Sequence, residues 1–598
     1  MKKVLFLFLL GSMAACNQSD KTATSKTAVT DSNKELAEFF DQYHEETLKL
    51  FPFAATVEGD NRYNDQLPVD FTDGYRTRLK KFFEDELDHL QKFDRTKLND
   101  EDKLSYDIFK YNADITIEGF NYPDNYLPFN QFTGLHLTMG QFGSGASAQP
   151  FKTVKDYDNW IKRVNLFSVW ADSSIIYFRK GIAANIVLPK SLVEKTIPEL
   201  TAMVTTPAHV KDNLFYTPVK TFPGDFTEED KKRLTDEYTK MVNEQVVPTF
   251  KKLADFMQRE YMPKARKSSG YDSLPNGKAW YAFLVKQQTT TSKTPDEIYN
   301  LGLSEVKRIR GIMDSVKNAV GFKGDLPAFF EYMKTDKKFM PYKSPEEVLN
   351  AFHKIHETMK PYLEKMFNHV PKTKFEIRQT EAFRAASASA EYNQGSADGT
   401  RPGIFYVPIL DATKFNTTSG MESLFLHEAI PGHHYQISLQ QEDTSLPKFR
   451  RFGGQNAYVE GWALYCESLG KELGLYTDPY QYMGALGDEI HRAIRLVVDV
   501  GLHDKGMTRE DAIKYMMDNE AINEQGATAE IERYMAIPGQ ALGYKIGALK
   551  IRELRNKYEK ELGSKFNIAA FHDEVLKNGS MPLALLEQKM DAWAEKQK

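Results

Sequence analysis

The chain of 598 residues contains only two cysteines, Cys16 and Cys466, so a small fold stapled by several disulfides is excluded. It also lacks any uniformly apolar stretch of the roughly 20 residues that a bilayer-spanning helix needs. Neither sign of charge dominates: 78 Lys and Arg stand against 83 Asp and Glu, a net charge of -5. That balance offers no footprint for nucleic acid and no basic face for an anionic membrane surface. No fixed-period repeat is visible, which argues against a solenoid or propeller. What remains is an ordinary globular composition, 41% hydrophobic and 27% charged, long enough for two to four domains or one large helical body.

The first residues read as an address. Lys2 and Lys3 precede an apolar run over residues 4–10, and small residues then lead to Cys16 in "MKKVLFLFLLGSMAAC". This resembles a bacterial lipoprotein signal, which implies a signal peptide over 1–15 and a mature chain beginning at a lipidated Cys16. Asn17 stands where an inner-membrane retention signal would place Asp, so the resemblance implies outer-membrane anchoring on the periplasmic side. Cys466 is then the only thiol left and reads as a small buried apolar residue. Residues 16–34 are polar and rich in Ser and Thr, the composition of a flexible tether.

From residue 35 the pattern is helical. "KELAEFFDQYHEETLKLF", "YRTRLKKFFEDELDHLQKF", "EDKLSYDIFKYNADITIEGF" and "VKDYDNWIKRVNLFSVWADSSIIYFRKGI" each repeat apolar residues at i, i+3, i+4 and i+7. The stretch 121–150 reads as a long irregular connection, and a second helical run covers 227–260. Turn chemistry in "YDSLPNG" at 271–277 divides an N-terminal helical region, 35–270, from a C-terminal helical catalytic region, 271–598. After it, Thr294, Pro295 and Glu297 spell a capping box with proline at the first helical position. "IFYVPIL" at 404–410 predicts a short strand, a candidate edge for an extended substrate. The expected class is mainly α, with a small β element near the active site.

"SGMESLFLHEAIPGHHYQ" concentrates the chemistry. Ser419 and Glu422 predict a capping box that opens a buried helix running through His427 and Glu428. A zinc-binding His-Glu-x-x-His helix places its two histidines at i and i+4, about 6 Å apart on one face; here position i+4 is Pro431. An undisturbed helix would hold His427 and His433 about 120° and 9 Å apart. Pro431 removes a helical hydrogen bond and Gly432 loosens the chain, so a break could bring either His433 or His434 toward His427. Catalytic zinc often takes two histidines and one carboxylate. The buried helix "AYVEGWALYCESLGKEL" supplies Glu460 and, seven residues on, Glu467, which reads as solvated or salt-bridged. Asp499 and His503, at i and i+4, predict one mutual hydrogen bond on a helix surface.

These blocks, with "LFPFAATVEGDNRYNDQLP", "TTTSKTPDEIYNLGLSEVKRI", "RAIRLVVDVGLH" and "ERYMAIPGQALGYKIG", resemble the bacterial family catalogued as domain of unknown function 885. The resemblance implies a predominantly helical, zincin-like metallopeptidase, often lipid-anchored. It implies one zinc ion held by His427, His433 and Glu460, with Glu428 as the base. Tyr534, Arg533 and His503, polar islands in apolar helices, are candidate donors to the developing oxyanion, and Arg533 could alternatively grip a substrate's terminal carboxylate. The expected reaction is hydrolysis of short peptides, carboxypeptidase- or oligopeptidase-like, in a channel between helical halves. Two alternatives stand beside it: a lipoprotein that binds peptide or glycan with a structural or absent metal site, and a zinc hydrolase of another amide or ester.

Overall fold

The computed structural model describes residues 33–145, 147–380, 389–396, 399 and 401–598. The signal peptide, Cys16 and nearly all of the expected tether lie outside the described residues. The described chain is mainly helical, and none of its helices is long and apolar enough to cross a membrane.

Local sequence rules account for most helix starts. Asn33 caps Lys34–Leu50 by accepting from the Leu36 N–H, and Thr153 with Asp156 forms a capping box on Val154–Ala184. The box predicted at Thr294 and Glu297 opens α1 (Pro295–Ala319). The run expected over 227–260 is helical from Glu228 to Tyr261, with π turns at Val242–Val246 and Met257–Tyr261. Residues 121–150 differ from the irregular connection expected of them. They include the helix Leu135–Gly143, and Asn130 and Gln131 donate side-chain hydrogen bonds to the carbonyls of Ala536 and Glu532. Those two bonds tie the N-terminal region to a helix of the site.

The N-terminal core is aromatic, built on Trp160, Phe167, Trp170, Phe178, Tyr238, Phe250 and Tyr261. A second core gathers Phe405, Phe425, Tyr458, Trp462, Leu554 and Phe571, and Ile108, Ile115 and Ile186 from the N-terminal region pack into it. Cys466 is fully buried there as a free thiol.

Three strands form one small sheet: β1 (Phe375–Gln379), β2 (Glu391–Asn393) and β3 (Gly403–Val407), in the order β1-β3-β2. β3 pairs parallel with β1 and antiparallel with β2, with Phe405 opposite Ile377 on one side and Tyr392 on the other. The strand expected near 404–410 is therefore present, but both its edges are occupied. It cannot add a substrate strand; the edge that borders the site is β2.

Among the helices that follow, those that build or support the site are α2 (Met421–Leu424), α3 (His433–Glu442), α4 (Asn456–Glu467), α5 (Pro479–Asp504), α6 (Glu524–Ala536) and α7 (Leu542–Leu562). α4 and α7 approach so closely that a Cβ on Gly547 would lie 1.8 Å from the Ala457 carbonyl oxygen and 2.7 Å from Gly461 Cα. Glycine at both positions thus fixes the spacing of the two helices beside Glu460. α5 crosses α1 where Gly302 meets Leu496, and a Cβ there would come within 2.7 Å of that side chain.

Candidate metal centre

The helix bearing the motif does not begin as its sequence predicts. Gly420, at φ 78°, is the N-cap of α2. Ser419 Oγ donates instead to the Asn416 carbonyl, and Glu422 accepts from the Tyr476 N–H at 2.7 Å. A capping box needs local partners, and both side chains found others.

The predicted break is where proline requires it. α2 continues into a π turn over Phe425–Ala429, Ile430 is extended, the Ile430–Pro431 peptide is cis, and α3 starts at His433. Gly432 lies against the end of the turn, where a Cβ would fall 1.9 Å from the His427 carbonyl oxygen, so only glycine fits. Trp462, two residues beyond Glu460, donates its indole N–H to the Pro431 carbonyl at 2.9 Å. One hydrogen bond therefore positions the break relative to α4.

This folding brings His427, His433 and Glu460 together. Glu460 Oε2 lies 3.6 Å from His427 Nε2 and 3.5 Å from His433 Nε2, and one ligand atom from each residue lies within 4.8 Å of the others. Donors about 2.0–2.1 Å from a tetrahedral zinc ion are about 3.4 Å apart, so the carboxylate-to-imidazole spacings fit that geometry. They are too long for good hydrogen bonds. Burial opposes charge on His427, yet the Glu460 and Glu467 carboxylates outweigh it and raise that imidazole to about 10. Burial likewise opposes charge on Glu460, but the two imidazoles hold its carboxyl well below the usual range. Two imidazoles with one carboxylate are a donor set suited to zinc.

His434, the other reading of the motif, points elsewhere. Its Nδ1 hydrogen-bonds the Tyr392 hydroxyl at 3.0 Å, its ring packs on Phe375, and burial pushes its imidazole down to about 4. Glu428 borders the cavity, and its Oε2 accepts from the Tyr392 N–H of β2 at 3.0 Å.

Glu467, expected to be solvated or salt-bridged, is salt-bridged: its Oε1 lies 3.6 Å from Arg492 Nη2. It is buried, and its Oε1 lies 2.7 Å from His427 Nδ1, where it fixes the ring's tautomer and turns Nε2 toward Glu460. Its seven-residue offset from Glu460 was the available sequence signal, since both fall on one face of α4. We expect Glu467→Gln to weaken metal affinity about 10–100-fold while leaving the fold intact, measured by competition with a zinc chelator.

The three candidate oxyanion donors fare differently. His503 is fully buried away from the cavity: its Nδ1 accepts from the Tyr271 N–H at 3.1 Å and its Nε2 donates to the Tyr534 carbonyl at 3.0 Å. Burial pushes it down to about 3, so it is a neutral structural bridge. Its expected partner Asp499 accepts instead from the Tyr281 hydroxyl at 2.6 Å and from the Gly539 N–H. Tyr534 is buried behind the wall, where its hydroxyl donates to Glu530 and accepts from Arg495 Nε. Arg533 does border the cavity.

The cavity encloses about 970 Å³, large enough for several peptide residues. Among the described residues, all that line it lie between Met313 and Tyr544, so the N-terminal region expected to form one side of a channel contributes none of them. Sequence reasoning missed two of its features. Asp488, His491, Arg492 and Arg495, at i, i+3, i+4 and i+7, form a polar stripe along one face of α5. Tyr544 stacks its ring parallel to His427 at 6.4 Å and under Arg495 at 4.7 Å.

The fold and site together define a mainly helical protein with a small sheet beside a cavity whose wall brings His427, His433 and Glu460 together, with Glu428 next to them. The chain belongs to the bacterial family of proteins of unknown function DUF885, whose family model matches residues 52–590. A crystal structure of a chain from Colwellia psychrerythraea, provisionally described as a lipoprotein, is 29% identical. It superposes with a TM-score of 0.87 over 94% of this chain and 99% of that one. A chain from Shewanella oneidensis, provisionally described as a lipoprotein of unknown function, shares the fold at 18% identity. Its TM-score is 0.71, over 92% and 99% of the two chains. No curated protein matches the chain.

Proposed function

We propose that the protein is a zinc-dependent, zincin-like metallopeptidase that hydrolyses short peptides and is anchored by lipid on Cys16 to the periplasmic side of the outer membrane. The anchor reading rests on the sequence of residues 1–16 and draws support from the two structural neighbours described as lipoproteins. The catalytic reading is carried by one observation: His427, His433 and Glu460 converge at the wall of a peptide-sized cavity with Glu428 beside them.

His427, His433 and Glu460 would hold the ion, and Glu467 would orient His427. A zinc ion so held supplies Lewis acidity, lowering the pKa of water toward about 7 and polarising a peptide carbonyl. Glu428 takes the proton from the attacking water and returns it to the leaving amine, its carboxylate steadied by the Tyr392 N–H. Negative charge then builds on the carbonyl oxygen and requires a donor. Tyr544 suits that role better than the buried Tyr534, because it lines the cavity against His427. We expect Tyr544→Phe to lower kcat about 10²–10³-fold with metal content unchanged, a loss typical of removing one oxyanion donor.

Digestion of a mixed peptide library by the zinc-loaded protein, with products identified by mass, tests the reading. Products that disappear on chelation and return with zinc are the expected result; an undigested library would refute it.

A further inference from the structure

Part of the cavity wall, where α5 meets α6, is built from cationic side chains. Arg495 is buried; its Nε donates to the Tyr534 hydroxyl at 2.9 Å and its Nη2 to Glu530 at 3.1 Å. Its Nη1 is buried with no hydrogen-bond partner among the described residues. Arg533 is about a quarter exposed, donates to Gln540 Oε1 at 3.0 Å and lies 3.6 Å from Glu530. His491 sits between Glu520 at 2.9 Å and Glu530 at 3.3 Å, a geometry that keeps a second proton on its ring. Three cationic side chains thus share two carboxylates, and a buried guanidinium N–H is left without an acceptor. A buried N–H donor without an acceptor costs stability, and an anion entering the cavity would supply the acceptor.

The distance from the metal donors selects the anion. Tyr544 bridges the two places, its ring 6.4 Å from that of His427 and 4.7 Å from the Arg495 guanidinium carbon. These spacings put the His427 ring and the guanidinium at most about 11 Å apart, and a peptide advances about 3.3–3.6 Å per residue, so only a short C-terminal stretch fits between a carbonyl held at the triad and the guanidinium. Met313, Phe330, Met333 and Ile522 line the same cavity and can take an apolar side chain.

We propose that Arg495 and Arg533 bind the free C-terminal carboxylate of the substrate, so that the protein acts as a carboxypeptidase releasing one or two C-terminal residues. This rests on the metallopeptidase reading for the cleavage step, but the carboxylate site is testable without turnover. Calorimetry on zinc-loaded Glu428→Gln protein would compare a pentapeptide ending in Phe with the same peptide amidated at its C-terminus. We expect the free acid to bind about 10–100-fold more tightly, the scale of a bidentate charge-assisted contact. Arg533→Ala should remove most of that preference and Arg533→Lys should keep part of it. Equal affinities for acid and amide, binding of neither, or a preference unchanged in Arg533→Ala would overturn the proposal. Wild-type cleavage of both peptides at internal bonds and equal rates would overturn it while leaving the metallopeptidase reading standing. Tight acid-selective binding without hydrolysis of any peptide would support the site and remove that reading.

Discussion

Replacing Glu428 by Gln should lower kcat for peptide hydrolysis about 10²–10⁴-fold, the range that a positioned general acid–base supplies, and leave zinc bound. Glu428 is not among the three converging donors; it lies next to His427 on the π turn and faces the cavity from there. Glutamine preserves its volume and can still accept from the Tyr392 N–H, so β2 should stay in place. What it cannot do is take a proton from water and deliver it to an amine. Elemental analysis and peptide kinetics on the same preparation check both halves. A variant of near wild-type activity would show that the base lies elsewhere, and one that also lost its metal would make Glu428 a ligand.

The second large effect separates the adjacent histidines. His433→Ala should abolish stoichiometric zinc binding and activity together, because it removes one of three donors around Glu460. It should also remove the rise in Tm that zinc produces in the wild-type protein, since a ligand that binds only the folded state stabilises it. His434→Ala should keep the metal. Its expected loss is the hydrogen bond to the Tyr392 hydroxyl, about 0.5–1.5 kcal/mol of stability, together with ring packing on Phe375. Isothermal titration with zinc and thermal melts of the two variants distinguish them. Zinc retained by His433→Ala and lost from His434→Ala would reverse the assignment.

Much of this arrangement is legible in the sequence where one residue type forces the outcome. Pro431 forbids a continuous helix, and Thr294 with Glu297 spells a helix start whose partners are all local. The spacing of His427, His433 and Glu460 then follows from the break and from one buried helix. Legibility fails where the deciding partner is distant in the chain. Ser419 and Glu422 have the capping pattern, but Gly420 adopts a positive φ and Glu422 is drawn to the Tyr476 N–H, 54 residues away. His503 resembles a catalytic histidine until Tyr271, 232 residues earlier, is placed against it. Glu467 and the α5 stripe of Asp488, His491, Arg492 and Arg495 are intermediate cases: helical spacing groups them, but only the packing of α4, α5 and α7 sets Glu467 behind His427 and turns the stripe toward the cavity. Tyr544 has no pattern of its own; it depends on the glycine contact of Gly461 with Gly547 that sets α7 against α4.

The central claim is that His427, His433 and Glu460 form a metal centre, and metal stoichiometry tests it most directly. Wild-type protein purified without chelator and equilibrated with zinc should carry about one ion per chain, and Glu460→Ala treated identically should carry none. A folded wild-type chain that holds no zinc under those conditions, or a Glu460→Ala variant that holds as much as wild type, would contradict the account.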